Sequence, residues 1–178
     1  KKNQGDNVVT TLDTNLQEAA YDALGSNKGA VVVMDPSTGK ILAMVSKPDF
    51  DPNTVSQNWN ELSTSEDSVL LNRATQGQYA PGSTFKLFVY ATAIEKGLSP
   101  CDTRPDNYIT WDVMEKGELV KWVPRNANGE YTGQNLTLKA AFARSINTIA
   151  VKLAQETGTE AIIKTAHAMG IKTPLNNI

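Results

Sequence analysis

Ser83 and Lys86 stand three residues apart in Tyr79-Ala80-Pro81-Gly82-Ser83-Thr84-Phe85-Lys86, a nucleophile and a base in one short segment. Pro81-Gly82 interrupts whatever precedes it. Ser83 or Thr84 can cap a helix, and Thr84 to Lys96 runs without Gly or Pro to a natural stop at Gly97. Residues three apart on a helix are neighbours. A serine hydroxyl is a poor nucleophile until a base takes its proton, and lysine is a base only when neutral. Burial and the positive end of the helix dipole both favour that state. The same helix start favours the oxyanion that forms when serine attacks a carbonyl. Phe85, Leu87, Phe88, Val89, Tyr90, Ala91, Ala93 and Ile94 point in nearly every direction, which predicts a buried helix and dry surroundings for Lys86. The single histidine, His167, lies in a distant segment, and nothing local supports a Ser-His pair.

The spacing alone is weak. Ser37-Thr38-Gly39-Lys40 has it too, and reads as a turn between two apolar runs. The bland readings are an ordinary N-cap for Ser83 and a Lys86 that bends its head into solvent. A second element raises the catalytic reading. Leu136 to Arg144 reads as a short helix capped by Thr137, and Thr148 to Glu156 as another ending near Gly158, with Ser145-Ile146-Asn147 at the junction. A hydroxyl there can relay a proton, and an amide can donate to a substrate carbonyl. Ser56-Gln57-Asn58 repeats that pattern in what reads as a polar loop, and capping of the following helix is the plain alternative for Ser145 and Asn147.

Taken in order, these elements resemble the penicillin-binding transpeptidases, and among them the class B, monofunctional type. The similar text includes Gly29 to Ser46, like the first two strands of that family and their turn, and Pro48-Asp49-Phe50-Asp51-Pro52-Asn53. It continues through Asn72-Arg73-Ala74 and Tyr79 to Lys86, and runs from about Val8 to Gly170. The resemblance implies an α/β (α+β) fold of the penicillin-binding and serine β-lactamase kind, an antiparallel sheet with a helical subdomain. It implies Ser83 as the acylated nucleophile, Lys86 as its base, Ser145 as the proton relay to the leaving group, and Asn147 as a contact to the substrate amide. It implies a D,D-transpeptidase that cross-links peptidoglycan stem peptides and is inhibited by β-lactams. A D,D-carboxypeptidase, a serine β-lactamase or penicillin sensor, and an inactive wall-binding or scaffold module are the alternatives.

The family's third motif, Lys-Thr-Gly on a downstream strand, is absent. Lys164-Thr165-Ala166 and Lys172-Thr173-Pro174 are near misses, and Pro174 lacks the N–H a strand ladder needs. The expectation is therefore the front portion of one transpeptidase domain over 1–178, truncated before that strand. Residues 1–75 would supply the lead, first helix, two strands and crossing, and 76–178 the Ser83–Lys86 helix and the helical subdomain. The isolated segment is expected to be inactive and to fold well only with the remainder of its own domain. The family's N-terminal membrane helix would place it on the extracytoplasmic face of the bacterial cytoplasmic membrane. Partners within the cell-wall synthesis machinery follow from the same resemblance.

Composition fits one globular domain. The chain has 178 residues, 40% hydrophobic and 20% charged, with a net charge of −2. No basic cluster interleaved with aromatics suggests nucleic acid. One cysteine, Cys101, forbids an internal disulfide, and one Cys with one His makes no zinc set. No cofactor or metal is expected. The apolar runs Ala30–Met34 and Ile41–Val45 are too short to span a bilayer, and the charged start Lys1 to Asp6 does not lead into a signal-peptide core.

The supporting elements read as follows. Val8–Leu12 is an extended lead or short strand. Thr14–Leu24 is a helix capped by Asp13 or Thr14 and stopped by Gly25. Ala30–Asp35 and Lys40–Ser46 form a hairpin whose near-continuous apolar text suggests strands covered on both faces. A short helix lies near Trp59–Leu62. Tyr108–Trp111 and Leu119–Val123 pair as a small hairpin within a loop-rich stretch. Trp59, Trp111 and Trp122 read as packing residues rather than the lining of a ligand groove.

Overall fold

The computed structural model describes residues 5–175, so the lead residues 1–4 and the last three lie outside it. The chain forms two compact units, Lys1–Ala80 and Pro81–Ile178.

In the first unit, helix α1 (Thr14–Leu24) starts where Asp13 accepts hydrogen bonds from the backbone N–H groups of Asn15 and Leu16. It packs on an antiparallel hairpin, β1 (Gly29–Met34) and β2 (Ile41–Lys47). Ala20, Ala43 and Val45 form the buried centre, with Leu24, Val31 and Val33 against it. Burial alternates along β1, and Val32 and Met34 stay about half exposed. The expected cover on both faces is therefore not found among the described residues: α1 covers one. The lead forms no strand. Thr11 Oγ1 donates to Ile41 O, and Asp13 N to Leu42 O, while the Gln17 amide pairs with both backbone groups of Met44. Two side chains and one backbone N–H thus satisfy groups on the outer edge of β2.

The Asp35 carboxylate accepts from Ser37 N, Ser37 Oγ and Thr38 Oγ1, which makes Ser37-Thr38-Gly39-Lys40 a tied surface turn, as expected. Helix α2 (Val55–Thr64) is longer than the expected Trp59–Leu62 and contains Ser56-Gln57-Asn58, which is therefore helical rather than a loop.

In the second unit, a 3₁₀ turn (Gly82–Phe85) leads into α3 (Lys86–Glu95). Two small antiparallel sheets follow. Strands β3 (Thr103–Pro105) and β6 (Asn135–Thr137) make one; β4 (Trp111–Glu115) and β5 (Glu118–Trp122) make the other. The second hairpin begins three residues later than expected. Lys116 and Gly117 both have positive φ and form its tight turn, so Trp111 pairs with Trp122. Helices α4 (Leu138–Ala143), α5 (Asn147–Thr157) and α6 (Thr159–Ala168) complete the unit. Thr137 caps α4, as expected, by accepting from Ala140 N.

Leu138, Ile149, Leu153 and Ile162 are fully buried and join Val89, Tyr90 and Ala93 of α3 in one core. Each such aliphatic side chain stabilises the fold by about 1.5–3 kcal/mol relative to exposure. That core fixes α3 against α5, and hence fixes the residues at their facing N-terminal ends. Helix α3 is buried on one side only; Leu87 and Ile94 are 48% and 43% exposed. The dry, all-round burial read from its sequence is not found, and Lys86 is half-buried.

Candidate active site

Gly82 has φ +56°, a conformation glycine adopts without strain, and it turns the chain into the 3₁₀ segment. Ser83 follows, exposed, and its carbonyl accepts from the N–H of Lys86. Side chains three apart nearly eclipse in a 3₁₀ turn, and both residues line one cavity of about 900 Å³.

Ser145-Ile146-Asn147 is placed by a helix ending. Ile146 N donates to Ala141 O at 2.9 Å and Ser145 N to Phe142 O at 2.9 Å, the paired bonds of a Schellman motif. Ala141 and Ile146 are both buried beneath it. The residue at the left-handed position of such a motif is usually glycine; here it is Ser145, with φ +53°. That strained turn aims the serine at the lysine. Lys86 Nζ donates to Ser145 Oγ at 2.9 Å, to Ser145 O at 2.7 Å and to Asn147 Oδ1 at 2.5 Å.

Of the four residues singled out by sequence, three therefore come together, with Ser145 and Asn147 both hydrogen-bonded to Lys86. The fourth, Ser83, lines the same cavity, but among the described residues its hydroxyl makes no hydrogen bond to the Lys86 ammonium, which is turned to Ser145 and Asn147 instead.

None of those partners is a carboxylate, and burial pushes the Lys86 pKa below its ordinary value. The partners also dictate what a neutral Lys86 can do. An amine keeps two donors and gains a lone pair. Ser145 O and Asn147 Oδ1 can only accept, so the one group able to donate to that lone pair is the Ser145 hydroxyl. Deprotonated Lys86 and Ser145 are thus coupled, which suits Ser145 to carry a proton.

Asn147 is held on three sides. Its Nδ2 donates to Arg125 O at 2.7 Å, its Oδ1 accepts from Lys86, and its backbone N–H donates to Asn126 Oδ1 at 2.9 Å. Asn126 Nδ2 donates in turn to both oxygens of Asp106. Asp106 is fully buried and also accepts from Thr148 Oγ1 at 2.6 Å and Thr132 N at 2.8 Å. Burial pushes its carboxyl up, but the bonds from Thr148, Thr132 and Asn126 outweigh burial and hold it below the ordinary value of 3.8. Sequence reading missed Asp106 and Asn126. They sit in loop-rich text and come together with Thr148 only through the fold.

Trp111 and Trp122 line the cavity beside Val113, Met114 and Pro124, and Trp111 also packs against the buried core, the packing expected of it. Trp59 lies in the first unit, 54% exposed. A smaller cleft of about 340 Å³, lined by Asn128, Glu130 and Arg144 among others, meets the first at Ser83 and Asn147. Thr165 and Ala166 of the first near-miss triplet are buried in helix α6. Among the described residues no group of three or more His, Cys, Asp or Glu could hold a metal.

Residues 29–177 match the penicillin binding protein transpeptidase domain family. The chain is 38% identical to a peptidoglycan D,D-transpeptidase, PbpA, of Mycolicibacterium smegmatis, over 96% of this chain and 37% of that protein. It is 40% identical to the peptidoglycan D,D-transpeptidase MrdA of Escherichia coli over 53% of this chain and 16% of that protein. Among solved structures, the ceftriaxone acyl-enzyme complex of penicillin-binding protein A from Mycobacterium tuberculosis superposes with a TM-score of 0.78 at 34% identity. That match covers 93% of this chain and 39% of that one. The imipenem acyl-enzyme complex gives 0.76 at 32% identity. The chain thus spans a little over a third of the length of its PbpA relative. With motif order, fold and family match in agreement, the chain belongs to the penicillin-binding protein transpeptidase family.

Proposed function

We propose that the chain supplies the nucleophilic half of a peptidoglycan D,D-transpeptidase and is the front portion of one transpeptidase domain. The observation that carries the reading is the Lys86 head group held between Ser145 and Asn147 at the wall of the cavity that Ser83 lines. Neutral Lys86 takes the Ser83 proton. Ser83 Oγ bonds to the carbonyl carbon between the terminal D-alanines of a stem peptide, and the C–N bond breaks. The departing amine takes the proton back from Lys86 through Ser145 Oγ. Asn147 orients the substrate amide, and an amine of a second stem peptide then attacks the acyl-enzyme.

A β-lactam would acylate Ser83 in the same way, but its leaving nitrogen stays tethered and the acyl-enzyme persists. The relatives captured as β-lactam acyl-enzymes support this. Peptidoglycan as substrate places the domain outside the cytoplasmic membrane, and an N-terminal anchor and cell-wall synthesis partners belong to the same proposal. No described helix is long and apolar enough to cross a membrane.

Incubating the complete protein with fluorescent penicillin tests the reading. Stable labelling that Ser83→Ala abolishes is expected. Absence of label on the folded wild type overturns the proposal in favour of a non-catalytic module, and rapid loss of label overturns it in favour of a β-lactamase.

A further inference from the structure

Asn147 opens helix α5, and its backbone N–H is one of the four at a helix start that have no intrahelical acceptor. The N-cap residue is Ile146, which has no side-chain acceptor to offer. The bond comes from outside the helix: Asn126 Oδ1 accepts from Asn147 N at 2.9 Å, across 21 residues. A side-chain amide can be turned either way, and the reverse orientation would set an NH₂ group against this N–H. What forbids it is the opposite end of the amide. An ionised carboxylate can only accept, so Asp106 binds the Asn126 NH₂ and leaves the oxygen no place but Asn147. Glu130 O, another acceptor at 2.9 Å, enforces the same orientation.

Asp106 is anchored from several directions. Its backbone extends the β3–β6 pairing by bonds to Gln134 O and from Gly133 N. Thr148, the next residue of α5, is fully buried and donates its hydroxyl to Asp106 Oδ1 at 2.6 Å. The carboxylate therefore grips α5 twice, directly through Thr148 and through Asn126 at Asn147. A negative charge at this end of a helix is also favoured by the helix dipole. Among the described residues Asp106 makes no hydrogen bond to Ser83 or Lys86. The Asn147 amide that it steadies accepts from Lys86 Nζ.

We propose that Asp106 is a positioning residue for the transfer reaction: through Asn126 it fixes the first turn of α5, and so the place of Asn147 beside Lys86 and the substrate. This rests on the acyl-transfer reading above. It predicts a larger loss in the chemical step than in the initial binding of a β-lactam, because the apolar walls Trp111, Val113 and Trp122 are carried by β4 and β5 rather than by α5.

The test is a double-mutant cycle on the complete protein, with the rate of acylation by fluorescent penicillin split into a binding constant and a first-order acylation constant. Asp106→Asn presents an NH₂ group where acceptors are needed and is expected to lower the acylation constant about 10- to 100-fold, the scale of a small misplacement of a reacting group. In an Asn147→Ala background the same change is expected to cost less than about two-fold, since residues that act through one another are not additive. Should Asp106→Asn fail to fold, Asn126→Ser keeps the carboxylate with its Thr148 and Thr132 bonds and carries the same cycle.

A wild-type acylation constant in Asp106→Asn overturns the proposal, as does an equal loss with and without Asn147. Each of those outcomes leaves the acyl-transfer reading standing. A wild type that takes no label removes that reading and the proposal together.

Discussion

Lys86 Nζ stands 2.9 Å from Ser145 Oγ, across 59 residues of chain: Lys86 opens α3, and Ser145 lies in the turn between α4 and α5. The contact is made by the α3–α5 core and by the left-handed turn that carries Ser145. It makes Ser145, rather than Ser83, the hydroxyl in direct contact with the Lys86 ammonium.

A pH dependence follows. With Lys86 as the proposed base, acylation requires its neutral form, so the rate should rise with pH and level off beyond the lysine pKa. Burial lowers that pKa, so the inflection should lie below lysine's ordinary 10.5. Lys86→Arg should abolish acylation at every pH below about 12, because a guanidinium keeps its proton. Stopped-flow labelling across pH checks both; a rate indifferent to pH, or a reactive Lys86→Arg, would remove lysine as the base.

Ser145 offers a separation of stability from activity. At φ +53° a non-glycine residue is strained by about 1–2 kcal/mol. Ser145→Gly should relieve that strain and raise the melting temperature, while removing the hydroxyl that Lys86 holds and slowing acylation. Ser145→Ala keeps the Cβ and the strain, and should slow acylation with no gain in melting temperature. Calorimetry and labelling of the two variants side by side decide it.

How much of this was legible in the sequence follows from where each signal resides. Helix α1, the β1–β2 hairpin and the Thr137 cap are written in local patterns: an Asp before an amphipathic run, near-continuous apolar runs on either side of Pro36-Ser37-Thr38-Gly39, a Thr before Leu138-Lys139-Ala140. Ser83, Lys86, Ser145 and Asn147 could be picked out because their spacings resemble a family pattern. The partnership among them was not readable to the same degree. That Lys86 turns to Ser145 and not to Ser83 depends on how α3 packs on α5, which no local pattern encodes. Asp106, Asn126 and Thr148 lie 20 to 42 residues apart and meet only in the folded unit. The first strand of the β4–β5 hairpin lies three residues later than its sequence suggests, because Lys116-Gly117 forms the two-residue turn.

Asp106 also sets an acid limit on stability. Its folded-state carboxyl lies below the ordinary 3.8, so it stabilises the fold above the unfolded-state value, and that contribution is lost as pH falls through the lower, folded value. Asp106→Asn should therefore lower the melting temperature at neutral pH and leave a smaller difference from wild type as pH is taken below about 3.9. Melting curves of both proteins from neutral to acid pH test the sign. A gap that widens on acidification would mean that the carboxyl is held above its ordinary value rather than below.

Tyr90 gives the opposite kind of case, a polar group whose removal should help. The residue is buried, and its ring packs against Phe142, with ring centroids 5.0 Å apart. Its hydroxyl is buried and has no hydrogen-bond partner among the described residues. Burial pushes its pKa up to about 12, so the group stays neutral and its cost is that of an unpaired O–H, about 1–3 kcal/mol. Tyr90→Phe keeps the ring and its contacts and deletes that atom alone. It should leave the melting temperature unchanged or raise it, with acylation unaffected, since Tyr90 points no group at Lys86 or Ser145. A loss of more than about 1 kcal/mol in Tyr90→Phe would mean that the hydroxyl has a partner in the complete protein.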